Sequence, residues 1–382
     1  MGVRDRLGEI AAEFSDVLGN ALPARCPIPW RPNALAPVFS GFRDYAPSRF
    51  ESEKFRAFGI EHATVELGAP RMRVWFPSTG GSPQHNEILQ PCGRYPLVVF
   101  AHGECGATPE EYHLTWGDNP IVRQQARAGY VVVVPQLTAS GPAPGGDDRD
   151  LGILRRVLEW MRTDWQHANL LADPPATALI GHSFGGANGA RLVVEEGNIS
   201  AYVSLSGDFQ ALGDAVEAID LVTSIEVPKL FTFALPDEHK LDNSWIPPTS
   251  GEEREPGSWH KLLLPRHGAA ITKMKHFDYL APEVAPCQDE PGPCLRAPRL
   301  IADIVTMFLA RYLPPPAVPR LPERIPPTLL PPADWEAGLS AKQISYTGAY
   351  LTGVGAWPIS PPECRLDLSF ETSTTSGVLT LP

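Results

Sequence analysis

The chain has 382 residues, 43% of them apolar, and a net charge of −12. That length supports one large core with extensions. The acidic balance, without any Lys/Arg run, argues against a nucleic-acid binder. No stretch approaches the ~18 apolar residues that a membrane span needs.

At the N-terminus, Arg4, Asp5, Arg6, Glu9, Glu13 and Asp16 leave no room for the apolar core of a signal peptide, so a cytoplasmic protein is expected. Among these charges Leu7, Ile10, Ala11, Phe14, Val17 and Leu18 recur at helical spacing, which predicts an amphipathic helix. A Pro- and Gly-rich stretch follows, and residues 1–55 read as a leader. "HATVEL" (62–67) and "MRVWFP" (72–77), separated by Gly-Ala-Pro, read as a hairpin or a pair of edge strands.

"YPLVVFAHG" (95–103) is a fully apolar strand running into a glycine, and a helical stretch ends at "ARAG" (126–129). "YVVVVPQL" (130–137) is a second buried strand. "GGDDRD" (145–150) supplies turn and capping chemistry for a helix whose stripe is Ile153, Leu154, Val157, Leu158 and Met161. Further strands are predicted over 176–180, in "AYVSLSG" (201–207), in "KLFTFAL" (229–235) and, more weakly, in "AAITKMK" (269–275). "RLIADIVTMFLARYL" (299–313) is a closing helix.

Strands alternating with helices predict an α/β domain over 56–313, with a mostly parallel sheet and helices on both faces. Beyond Leu313 the composition changes. Nine of the 19 residues from Pro314 to Pro332 are proline, an extended linker or strap. Residues 333–382 carry Trp335, Tyr346, Tyr350, Trp357 and Phe370, an aromatic extension expected to dock on the domain.

The chemistry centres on Gly181-His182-Ser183-Phe184-Gly185, a G-x-S-x-G pattern between an apolar run and a small-residue helix. A strand turning abruptly into a helix lifts the central residue into an exposed, strained conformation, and its neighbours must lack side chains. A serine hydroxyl needs a base, and the base needs an orienting acid. Of the histidines after Ser183, His276 in "KHFDYL" follows the last strand and precedes the closing helix, which makes it the preferred base, with His267 behind it. Asp237, at the end of "VPKLFTFALPD", is the preferred acid. Asp208, after "SLSG", is the alternative, and Asp278 is too close to His276 in sequence to serve easily.

An oxyanion needs two fixed donors, assigned to the backbone N–H groups of Phe184 and Glu104. His102 is expected to prop the loop around Gly103, and His182 to be a buried, hydrogen-bonded packing residue. Cys105 is a rival nucleophile without an elbow. None of the six cysteines forms C-x-x-C or zinc spacing, so neither metal nor cofactor is expected. Cys287 and Cys294 close a short loop and are expected to be free thiols.

"GHSFGG", "PLVVFAHG", "VPKLFTFALPD" and "HFDYL" resemble segments of the α/β-hydrolases, in the group of cutinase-like polyester hydrolases, plasma-type platelet-activating-factor acetylhydrolases and chlorophyllases. The resemblance covers about residues 56–313. It implies a serine esterase with Ser183, His276 and Asp237 as triad, acting on a small-molecule or polymeric ester. The acetylhydrolase arrangement would make Asp208 the acid. Two other readings are a non-catalytic receptor or scaffold on the same fold, and acyl transfer, thioester hydrolysis or peptide cleavage at the same site. Unlike secreted polyester hydrolases, the chain carries a Pro-rich tail and a carboxylate, Glu104, at the oxyanion loop.

Overall fold

The computed structural model describes residues 40–45, 71–78, 88, 93–104, 112–138, 149–174, 176–209, 215–235, 261–272, 274–280, 297–316, 366–371 and 376–381. Asp237, Cys105, Cys287, Cys294, the N-terminal helix and the 62–67 strand of the sequence reading lie outside them.

In chain order the elements are β1 (Ser40–Tyr45), β2 (Met72–Pro77), β3 (Leu97–Ala101), α1 (Tyr112–Gly117), α2 (Pro120–Arg127), β4 (Val131–Pro135), α3 (Arg149–Thr163), β5 (Thr177–His182), α4 (Phe184–Glu195), β6 (Ala201–Leu205), α5 (Ala215–Thr223), β7 (Lys229–Leu235), β8 (Arg266–Thr272), α6 (Ala297–Tyr312), β9 (Leu366–Glu371) and β10 (Ser376–Leu381). They build one sheet in the order β1-β2-β4-β3-β5-β6-β7-β8-β9-β10. From β4 across to β8 all neighbours run parallel. The antiparallel pairs lie at the two edges.

The central strands are buried on both faces because their sequences are apolar at every position, as a doubly covered parallel sheet demands. Leu97, Val99, Val131 and Val133 face the side covered by α3, α4 and α5. Val98, Phe100, Val132, Ala178 and Ile180 face α1, α2 and α6. On α6, Ile301, Ile304, Val305, Phe308 and Leu309 are at most 2% exposed, at roughly 1.5–3 kcal/mol of burial each. α2 starts where Asn119 Oδ1 accepts the N–H of Ile121 at 2.8 Å, with Pro120 at the first helical position.

Two findings reach past the sequence reading. β1 falls inside the stretch read as leader and pairs with β2 along its whole length, Ser40 opposite Pro77 to Tyr45 opposite Met72. At the other edge β9 pairs with β8, from Arg266 opposite Glu371 to Ile271 opposite Leu366, and β10 pairs with β9. The start of the proline run is seated as well. Gly129 has a φ of +100°, and a Cβ there would meet Pro315 Cβ at 3.0 Å.

Deleting residues 366–382 removes the ladder on β8, whose interstrand hydrogen bonds contribute about 1 kcal/mol each. The melting temperature should fall by about 2–4 °C for each kcal/mol lost, and the bared β8 edge should promote aggregation. Thermal melting with light scattering checks this. An unchanged melting temperature and a monodisperse product would contradict the role of β9.

Candidate active site

The site lies at the carboxyl ends of β3 and β5, where the chain switches from adding strands on one side of β3 to the other. Ser183 has φ 53° and ψ −125°, a backbone region that side-chain-bearing residues adopt only under constraint. Close packing supplies that constraint. A Cβ on Gly181 would collide with the Gly185 carbonyl and come within 2.6 Å of Gly186 Cα. One on Gly185 would run into the Ala101 carbonyl, and one on Gly186 would lie 2.7 Å from Gly207 Cα. Four backbone hydrogen bonds fix the turn: Ser183 N–H to Leu205 O (3.2 Å), and the N–H groups of Gly186 (2.9 Å), Ala187 (3.3 Å) and Asp208 (2.9 Å) to Ser183 O.

The β3/β5 register then sets which loop lies beside Ser183. Ala101 lies opposite Gly181, so the loop after β3 runs alongside the elbow. A Cβ on Gly103 would sit 2.5 Å from Ser183 Cβ. Glu104 follows directly, with its side chain exposed. Phe184 opens α4, so its N–H belongs to the first turn, which has no acceptor inside a helix and carries the positive end of the dipole. His102 holds the loop. Its Nε2 accepts the N–H of Leu137 (3.0 Å), so Nδ1 carries the hydrogen and donates to Gly103 O (2.9 Å). Burial lowers its pKa to about 4, leaving it neutral.

The base candidate sits on the other flank. His276 follows β8 and is partly buried. Its ring centroid is 4.7 Å from that of His182, the residue before Ser183. The segment around it is pinned at several points. Asp278 Oδ2 accepts the N–H of Lys275 at 2.7 Å, so that carboxylate serves its own turn. Asn119 Nδ2 donates to Tyr279 O at 2.9 Å. The Tyr279 hydroxyl lies 2.8 Å from Ser206 Oγ and 2.9 Å from Thr232 Oγ1.

The directions of that last network follow from its ends. Thr232 Oγ1 donates to Ser204 O (3.2 Å), so it accepts from Tyr279. Tyr279 then accepts from Ser206, whose Oγ also takes the N–H of Ala234 (3.1 Å). Ser206 is the second non-glycine residue with positive φ among those described, at 43°.

Asp208 is partly buried just past β6, tied to the elbow through its main chain. β7 ends two residues before Asp237, with Leu235 level with Thr272 of β8. His267 stands elsewhere. It lies within β8 with Nε2 2.8 Å from the Tyr312 hydroxyl, its ring edge-on to Phe308 of α6. Among the described residues no His/Cys/Asp/Glu group could hold a metal. Also among them, no helix is long and apolar enough to cross a membrane.

A parallel sheet in this strand order, with a strained serine between the fifth strand and its helix, decides the architecture. This is the α/β-hydrolase fold. A sequence model of the Chlorophyllase family matches residues 78–234, less than half of the chain. The match takes in β3 and the elbow and ends before Asp237 and His276. Among solved structures the dienelactone hydrolase from Anabaena variabilis is similar at 15% identity over 71% of this chain and 99% of that one, with a TM-score of 0.40. No curated protein matches the sequence.

The sequence reading passed over Tyr279, Ser206 and Asn119, which position the His276 segment. Tyr279 carried one signal, a polar-tipped aromatic three residues past the candidate base.

Buried neutral histidines give the α/β-hydrolase domain a pH signature. Burial lowers His102 to about 4 and His267 to about 3, and takes His182 well below its ordinary value. On unfolding each takes up a proton near pH ~6.5. Stability is therefore full above that pH and falls towards pH 4, by about 1.4 kcal/mol per pH unit for each histidine. Urea unfolding at pH 7.5 and 5.0 measures it, and equal stabilities would contradict the neutral assignment.

Proposed function

We propose that the chain is a serine hydrolase that cleaves carboxylic esters through an acyl-enzyme. The observation that carries this reading is the backbone of Ser183, held at φ 53° at a strand-to-helix tip. Such strain persists where the surroundings over-determine it, and it lifts a hydroxyl towards substrate. The partial match to the Chlorophyllase model supports hydrolysis as the reaction class.

In this reading Ser183 Oγ attacks the ester carbonyl carbon while His276 takes its proton. The carbonyl π electrons move to oxygen, and the N–H groups of Phe184 and Glu104 hold the oxyanion. Collapse breaks the C–O bond, and His276 returns the proton to the departing alcohol. Water, deprotonated by the same imidazole, then releases the acid and restores Ser183. Asp237, two residues beyond β7, orients the imidazole from the strand beside β8. Asp208 would serve if the acid came from β6. No cofactor enters any step.

Ser183→Ala should abolish hydrolysis of p-nitrophenyl esters and labelling by a fluorophosphonate, with the fold retained. Near-wild-type turnover in that variant would sink the assignment. For the acid, Asp237→Asn should lower kcat by about 10⁴-fold, because the wrong imidazole tautomer is favoured. Asp208→Asn should cost little. The reverse pattern would move the acid to β6.

A further inference from the structure

His182 has a place that mere packing does not require. It is completely buried, with its ring 4.5 Å from Trp116, 5.2 Å from Tyr279 and 4.7 Å from His276, centroid to centroid. Its Nε2 lies 2.9 Å from the main-chain oxygen of His276. A carbonyl can only accept, so Nε2 carries the hydrogen and Nδ1 is bare. That bare nitrogen faces the oxyanion loop, 2.9 Å from where a Cβ on Gly103 would stand, and has no hydrogen-bond partner among the described residues.

We propose that His182 is a positioning residue for the base, setting the place of the His276 ring relative to Ser183 through the Nε2–H bond to the His276 carbonyl and the contact between the two rings. The proposal rests on the reading of Ser183 and His276 given above. The bond joins the base's own main chain to the residue covalently before the nucleophile. β5 is rigid and central, whereas His276 follows the end of β8. The Tyr279 anchors hold this segment three residues further on. The His182 bond, by contrast, acts on the main chain of the base itself.

Burial contributes a second effect. A neutral His182 puts no like charge beside the imidazolium that forms on His276 during each step. A phenyl ring would fill the same space without the donor, whereas a glutamine side chain keeps an N–H.

The test uses the full chain with His182→Phe, His182→Gln and Ser183→Ala. His182→Phe should lower kcat and the fluorophosphonate labelling rate together by roughly 10²-fold, the scale of a misplaced catalytic group. KM should stay within about threefold of wild type in this variant. His182→Gln should recover about tenfold of the loss. A folded His182→Phe with kcat within about threefold of wild type overturns the proposal, as does glutamine doing no better than phenylalanine. Should the variants not fold, ¹⁵N-histidine NMR of the wild-type protein decides: a hydrogen on Nε2 of His182 is expected, and one on Nδ1 overturns the proposal. An inactive Ser183→Ala beside a fully active His182→Phe removes this proposal alone. An active Ser183→Ala removes the reading on which it rests.

Discussion

Everything at this site depends on how closely the backbone packs around Ser183. The strained conformation costs on the order of 1–3 kcal/mol, and the surrounding main chain holds it. A Cβ at Gly185 would overlap the Ala101 carbonyl, one at Gly181 the Gly185 carbonyl, and one at Gly103 Ser183 itself. One geometry thereby places Ser183 at a sheet tip, lays the loop after β3 beside it and starts α4 at the next residue. A methyl group at Gly181 or Gly185 has nowhere to go, because its neighbours there are backbone atoms that cannot rotate aside.

Around this core the polar groups are buried in a directed, neutral arrangement. Ser206, Tyr279, Thr232 and the Ser204 carbonyl form a chain in which each hydroxyl donates once. It joins the end of β6 and the middle of β7 to the segment that bears His276. Buried polar groups are costly unless satisfied, and satisfied ones favour a single arrangement. Histidines serve the same end. His102 and His182 sit in dry surroundings that keep them uncharged, and each uses its one N–H on a backbone carbonyl.

The parallel strands and the elbow were legible in the sequence because burial on both faces forces continuous apolar runs, and the turn forces glycines. The edges were not. β1, "SGFRDY", is short, mixes charges with aromatics and lies in a Pro/Gly-rich region, so nothing in its pattern separates it from a loop. β9 and β10 follow a long proline-rich stretch and become strands through tertiary pairing, β9 with β8 and β10 with β9. The apolar pattern of the weaker β8 begins only at Ala269, whereas the strand starts at Arg266. Arg266 and His267 look like surface residues, yet Arg266 donates to Leu262 O and His267 meets Tyr312. Such partners are tertiary, and local pattern does not announce them. The same holds for His182, whose sequence context marks burial but not its bond to a residue 94 positions away.

The most direct test of the account is the location of the covalent adduct formed by a fluorophosphonate on the full chain. Tryptic cleavage yields one peptide from Thr163 to Arg191, and Ser183 is its only serine. The account predicts the added mass on that peptide, fragmenting to Ser183, with labelling blocked by an ester substrate. A label carried by another peptide, such as the one with Cys105, or no label on a folded protein, would contradict it.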